Sequence, residues 1–151
     1  MLNGPGALRT CGHEGPDRAG GRARTRVDAA AFAEAVLDVT CLIPSGHVLT
    51  YGDIAELLGH GGPRQVGRAL SRGSREVPWW RVLRAGGHPA VGLALRARPH
   101  YEAEGTALRV PAGAHGAAEY RVDLAAARWW PSEADHATVE ALSSALEGFG
   151  P

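Results

Sequence analysis

Between Thr50 and Leu70 the chain reads TYGDIAELLGHGGPRQVGRAL, two short amphipathic stretches divided by a glycine- and proline-rich break. Thr50 is followed three residues later by Asp53, an arrangement close to a capping box. Ile54, Leu57 and Leu58 supply a buried stripe, and Gly59 stops the helix. Pro63 then stands at the first position of a second helix, where its missing N–H is not needed; this helix is predicted to run to about Arg72. Two short helices joined by a glycine-containing turn read as a helix-turn-helix.

The two faces of the second helix differ. At about 100° per residue, Arg64, Arg68 and Arg72 fall within about 80° of one another, while Val66 and Leu70 lie opposite. One face is core and the other is cationic. Gly67 and Ser71 flank the cationic face, so its side-chain layer is thin and a partner can approach the backbone closely. Nucleic acid suits such a surface; a solvated arginine face is the alternative. Formal net charge is zero, so bulk charge predicts no partner, and the absence of lysine among the 16 basic residues points to a GC-rich coding bias. The distribution is more informative. From Gly59 to Arg84, six arginines (Arg64, Arg68, Arg72, Arg75, Arg81 and Arg84) stand against Glu76 alone.

At 151 residues the chain has room for one domain plus tails. Residues 1–26 are dense in Gly, Pro and Arg without apolar periodicity and read as a disordered tail. Residues 27–131 read as the domain. Residues 132–151 form an acidic C-terminal tail in which Val139, Leu142 and Leu146 recur at helical spacing. Phe32, Val36, Val39 and Ile43 predict a helix opening at the Asp28 cap and ending at Pro44-Ser45-Gly46. Cys41, in its last turn among apolar neighbours, is expected as a buried structural thiol.

Cys11 and Cys41 are too few and too far apart for a disulfide framework or a metal site, and no cofactor is expected. No stretch approaches the ~20 apolar residues of a membrane span, so a soluble, cytoplasmic protein without a membrane partner is expected; it is also expected to be a monomer. Gly86-Gly87, between Val82-Leu83-Arg84 and Ala90-Val91, suggests a small hairpin or wing. Residues 92–105 suggest a short helix interrupted near Pro99, and Glu119 to Leu124 a strand. The expected fold is mainly α: a winged-helix-like helix-turn-helix domain with a small β wing.

The stretch VPWWRV, Val77 to Val82, sets two of the chain's four tryptophans side by side. A core would use them, and so would a pocket for a flat aromatic ligand. The surrounding runs favour the pocket. IPSGHVLTYGDIAELLG, PRQVGRAL and VPWWRV, with AEGTALR and EYRVDL further on, resemble the DNA-binding domain of O6-alkylguanine-DNA alkyltransferases. The resemblance is greatest to the non-enzymatic relatives of those enzymes, the alkyltransferase-like proteins. It covers about residues 28–131 and is most specific over 32–84.

In those enzymes the site motif is Pro-Cys-His-Arg-Val, whose cysteine takes the alkyl group off guanine. The matching residues here are Pro78, Trp79, Trp80, Arg81 and Val82, so indoles stand at both the cysteine and the activating histidine positions. Alkyl transfer needs a thiolate in an electropositive or base-assisted setting. An indole offers no comparable nucleophile and does not titrate. Glu104, in AEG, matches the glutamate that completes the activating relay, with nothing left to activate.

What the resemblance implies instead is recognition of double-stranded DNA containing O6-alkylguanine. It implies that the second helix lies in the minor groove, with Thr50, Tyr51, Arg64, Gly67, Arg68, Ser71 and Arg72 facing DNA. Tyr51 would crowd a phosphate and rotate the nucleotide outward, and Arg64 would fill the vacancy. Val77, Pro78, Trp79, Trp80 and Arg81 would line the lesion pocket, and the bound lesion would pass to nucleotide-excision repair proteins. Extruding a base costs roughly a few kcal/mol, and aromatic stacking returns about 1–3 kcal/mol per base. The segment from Leu83 to Gly105 is shorter than in the family, leaving Arg96 and Arg98 as candidates for a pocket arginine. Trp129 and Trp130 are expected to pack the C-terminal segment onto the domain, and His47, His60 and His88 receive no role.

Two other classes fit parts of the pattern: a helix-turn-helix transcription regulator reading one DNA sequence, and an alkyltransferase-derived interaction module that no longer binds lesions. The indole substitutions carry their own test. Incubation with radiolabelled alkyl-DNA is expected to leave the protein unlabelled, and stoichiometric label on the chain would contradict the reading of Trp79.

Overall fold

The computed structural model describes residues 27–73 and 75–147. The tail expected at residues 1–26 and the end of the acidic segment lie outside the described residues. Helix α1 (Ala29–Leu42) opens at Asp28, whose Oδ2 accepts from the Ala31 N–H at 3.1 Å. Strand β1 (Leu49–Thr50) leads directly into α2 (Tyr51–Leu58). The capping box forms in full: the Asp53 N–H donates to Thr50 Oγ1 at 3.0 Å, and the Thr50 N–H donates to Asp53 Oδ2 at 2.9 Å. Helix α3 (Pro63–Ser71) begins with its proline as expected. Gly61 in the intervening turn has φ 68°, and a Cβ there would lie 2.8 Å from the Phe32 ring, so a side chain is excluded on two counts.

Strand β2 (Val82–Leu83) pairs in parallel with β1, Leu49 opposite Val82 and Thr50 opposite Leu83. On the other side of β1, Val48 exchanges backbone hydrogen bonds with Ala127 and Trp129, both 2.9 Å. Three distant segments therefore meet along residues 48–50. The strand-paired hairpin expected around Gly86-Gly87 is absent there: residues 84–88 form a tight turn with Gly86 and Gly87 at positive φ, and β2 is committed to its parallel partner. The antiparallel pair is instead β3 (Leu108–Arg109) with β4 (Arg121–Val122), Leu108 opposite Val122, within the run read as a strand.

Helix α4 (Ala94–Glu104) runs through Pro99 without the expected interruption. Proline removes only the bond to the carbonyl four residues back, that of Leu95, whose side chain is exposed. A short α5 (Leu124–Ala127) and a long α6 (Glu133–Glu147) complete the described chain. Val139 and Leu146 of α6 are buried with Phe32, Val36, Val39, Ile54, Leu58, Val66 and Trp129 in the core under the helix-turn-helix. Ser143 of α6 donates to the Leu58 carbonyl at 2.8 Å, satisfying an orphan acceptor at the end of α2. A second core gathers Val48, Leu83, Ala97, Tyr101, Tyr120 and Val122, and Trp79 and Trp80 pack against it.

Two expectations fail. Cys41 is half-buried and disulfide-bonded rather than a buried free thiol. Trp129 is buried, but Trp130 is 76% exposed, since backbone pairing at Val48 orients only the first of the two indoles inward. No helix among the described residues is long and apolar enough to cross a membrane.

Candidate functional site

The Trp79–Arg81 stretch is one turn of 3-10 helix, closed by the Arg81 N–H donating to the Pro78 carbonyl at 3.0 Å. Val77, Pro78, Trp79, Trp80 and Arg81 are all half-buried. Three residues of α4, each one turn apart, grip this 3-10 turn. The Arg96 guanidinium lies 5.7 Å from the Trp79 ring centroid. The His100 ring stacks on Trp80 at 3.6 Å with 10° between planes. Glu104 Oε2 accepts from the Trp80 indole N–H at 2.9 Å and from Arg81 Nη2 at 2.6 Å. Trp79 meets Trp80 and His100 edge-on, at 5.5 Å and 5.7 Å.

Glu104, expected to have nothing left to activate, instead holds the turn together. Besides Trp80 and Arg81 it accepts from the Gly46 N–H at 3.0 Å, while Arg81 Nη1 donates to the Ile43 carbonyl at 2.8 Å. An indole N–H has taken a place at the carboxylate that needs only a donor, which tryptophan supplies without titrating. Burial alone would raise the Glu104 pKa, but hydrogen bonds from Arg81, Gly46 and Trp80 outweigh it and hold the carboxyl below the ordinary glutamate range. Tyr101 adds a further hold, its hydroxyl donating to the Trp80 carbonyl at 2.6 Å.

Arg64, Arg68 and Ser71 are exposed on α3, and Arg72 is exposed at its C-cap. Ser71 Oγ donates to the Arg68 carbonyl at 3.2 Å, so it bonds its own helix. A Cβ on Gly67 would meet nothing within 4 Å, so packing does not demand this glycine and the helix surface there is open. Thr50 is buried and its side chain caps α2; it sets Tyr51 at the first helical position rather than facing outward itself. Burial pushes the Tyr51 phenol up, partly offset by the charge of Arg84, so the hydroxyl stays neutral and able to donate.

The sixfold arginine patch is smaller than its sequence suggests. Arg81 is spent on Glu104, and Arg75 pairs with Glu34 and Asp38 of α1 at 3.0 Å and 2.9 Å. Of the two candidate pocket arginines, Arg96 lies at Trp79, whereas Arg98 pairs with Glu102 at 3.0 Å and donates to the Ala117 carbonyl. His100 was missed by sequence reasoning. Its signal was its place four residues before Glu104, on the same helical face.

The family model for the 6-O-methylguanine DNA methyltransferase DNA-binding domain matches residues 31–106, half of the chain. Alkyltransferase-like protein 1 of Schizosaccharomyces pombe is 44% identical over 59 residues, covering 37% of this chain and 55% of that protein. A DNA base-flipping protein of Vibrio parahaemolyticus is 40% identical over 80 residues, covering 49% of this chain and 79% of that one. The chain belongs to the alkyltransferase-like members of this family. The crystal structure of S. pombe Atl1 in complex with damaged DNA containing O6-carboxymethylguanine matches this alkyltransferase-like fold with a TM-score of 0.57 at 31% identity, covering 68% of this chain and 97% of that one. The matched segment spans about half the length of the S. pombe relative found by sequence.

Glu104 gives the site a pH signature. Because its carboxyl is held below its unfolded value, the contribution of the Arg81–Glu104 pair is complete above the unfolded-state pKa and lost as pH falls through the folded one. Denaturant unfolding of the wild type is expected to show stability falling across that acid window. Glu104→Gln is expected to cost roughly 1–3 kcal/mol near neutral pH, as for lost hydrogen bonds to a charged group in a partly buried pair, and to flatten that part of the profile. An unchanged slope in Glu104→Gln would remove the pair from this role.

Proposed function

We propose that this protein is a non-enzymatic sensor of O6-alkylguanine in DNA. It binds the minor groove of double-stranded DNA through α3, rotates the damaged nucleotide outward and receives it in a pocket walled by Trp79. The observation that carries the reading is the Trp79–Arg81 turn: a fixed aromatic surface with no thiol or imidazole in the turn, anchored to α4 by Glu104 and Arg81. Trp79 is only half-buried, which leaves part of its ring open for stacking. Support also comes from S. pombe Atl1, whose complex with damaged DNA shares this fold.

Roles divide by exposure. Among the described residues Arg64, Arg68 and Arg72 have no ion-pair partner of the kind that occupies Arg75 and Arg81, and they are the cations offered to DNA, Arg68 and Arg72 to phosphates and Arg64 to the base stack. Arginine suits the stack because its planar guanidinium both stacks and donates. Gly67 and Ser71 keep the helix surface low between them. Tyr51 is the residue that crowds the phosphate beside the rotated nucleotide, held at the start of α2 by the Thr50 cap. Val77 and Pro78 shape the entry to the pocket, and Arg81 positions it from behind. Arg96, beside Trp79, is favoured over Arg98 as the pocket arginine.

Without a nucleophile the lesion leaves the site unchanged, so a repair system must follow. Nucleotide-excision repair proteins are the partners that the family resemblance implies. The reading is tested at Arg64. Arg64→Ala is expected to weaken binding to a lesion-bearing duplex by roughly 1–3 kcal/mol and to abolish the signal of a fluorescent base analogue at the rotated position. Full fluorescence in that variant would take Arg64 out of the proposed role.

A further inference from the structure

Trp80 is held more tightly than its neighbour. The flat face of His100 covers it at 3.6 Å, Glu104 takes its indole N–H at 2.9 Å, and Tyr101 takes its carbonyl at 2.6 Å. Trp79 is held by ring contacts, edge-on to both members of the Trp80–His100 stack and beneath the Arg96 guanidinium. The side chain that would rotate or accommodate a ligand is therefore Trp79, and the platform that limits its motion is Trp80 with His100. Stacked aromatic pairs are worth a modest but specific free energy beyond area burial, and they fix ring planes.

We propose that His100 is a positioning residue for the lesion pocket. By lying flat on Trp80 it fixes the plane against which Trp79 leans, and so sets how strongly a lesion-bearing duplex is preferred over an unmodified one. This rests on the sensor reading above. His100 sits on α4, away from the arginines of α3, so its contribution belongs to the pocket and not to general DNA affinity. Glu104 and Arg81 do not replace it: Glu104 holds only the indole edge, and the Arg81 guanidinium, 5.6 Å from the Trp80 centroid, is tied to Glu104 and the Ile43 carbonyl and does not stack on the ring as His100 does at 3.6 Å.

The test uses two variants of the full chain, His100→Leu, which keeps bulk but loses the flat face, and His100→Phe, which keeps the flat face without the imidazole nitrogens. Affinities are measured for one duplex with and without O6-methylguanine. His100→Leu is expected to lower the lesion preference roughly three- to tenfold, with affinity for the unmodified duplex unchanged, and His100→Phe to keep the wild-type preference. The near-ultraviolet circular dichroism of the free protein is expected to change in His100→Leu and to be retained in His100→Phe. A wild-type preference that survives in His100→Leu, even with a lowered melting temperature, would overturn the positioning role alone. Equal loss in both variants would do the same. No preference in the wild type would instead overturn the sensor reading, and this inference with it.

Discussion

The ion pair between Arg81 and Glu104 is the joint on which the remainder of the site depends. Its side chains are only 17% and 12% exposed, and Arg81 Nη2 approaches Glu104 Oε2 to 2.6 Å. Desolvating two charges is expensive, and such a pair persists when further hydrogen bonds complete both groups. Both are completed here. The carboxylate also receives the Trp80 indole and the Gly46 N–H, and the guanidinium also donates to the Ile43 carbonyl. One pair thereby ties the end of α1 and the loop after it, the tryptophan turn, and the last residue of α4. The parallel pairing of β1 with β2 begins at the residue after Arg81, so the joint also fixes the site relative to the helix-turn-helix.

This arrangement explains how a turn built around other chemistry accommodates two indoles. A donor to the carboxylate is what position 80 must supply, and an indole supplies one. Its larger ring then needs a neighbour, and His100 provides a flat face at 3.6 Å. Position 79 carries no such hydrogen-bonding duty at Glu104, which leaves it for the role in the lesion pocket proposed above.

The helices were legible where a short-range rule governs them. Asp28, the Thr50–Asp53 box and Pro63 each mark a start by local chemistry, and the structure uses all three. Of the strands only β4 was legible, within Glu119 to Leu124; the others escaped because two-residue strands carry no alternation, and β2 was read toward Ala90 as a hairpin when it pairs with Leu49 and Thr50 instead. Pro99 misled because a proline signals a break only where the lost bond cannot be spared. Trp130 misled because neighbouring residues on an extended segment face opposite ways, and composition cannot say which faces in. The tryptophan turn was visible in VPWWRV, but what holds it was not. Glu104 lies 23 residues from Arg81, and His100 gained its meaning only when α4 was seen to run unbroken past Pro99.

The central claim is that this frame recognises an alkylated guanine by shape and stacking without reacting with it. Its most direct measurement is a binding titration of one oligonucleotide duplex with and without O6-methylguanine, at two salt concentrations. A lesion sensor of this kind should bind the lesion-bearing duplex more tightly at both, with affinity for both duplexes falling as salt rises if α3 contributes through phosphates as proposed. Equal affinity for the two duplexes would contradict the claim.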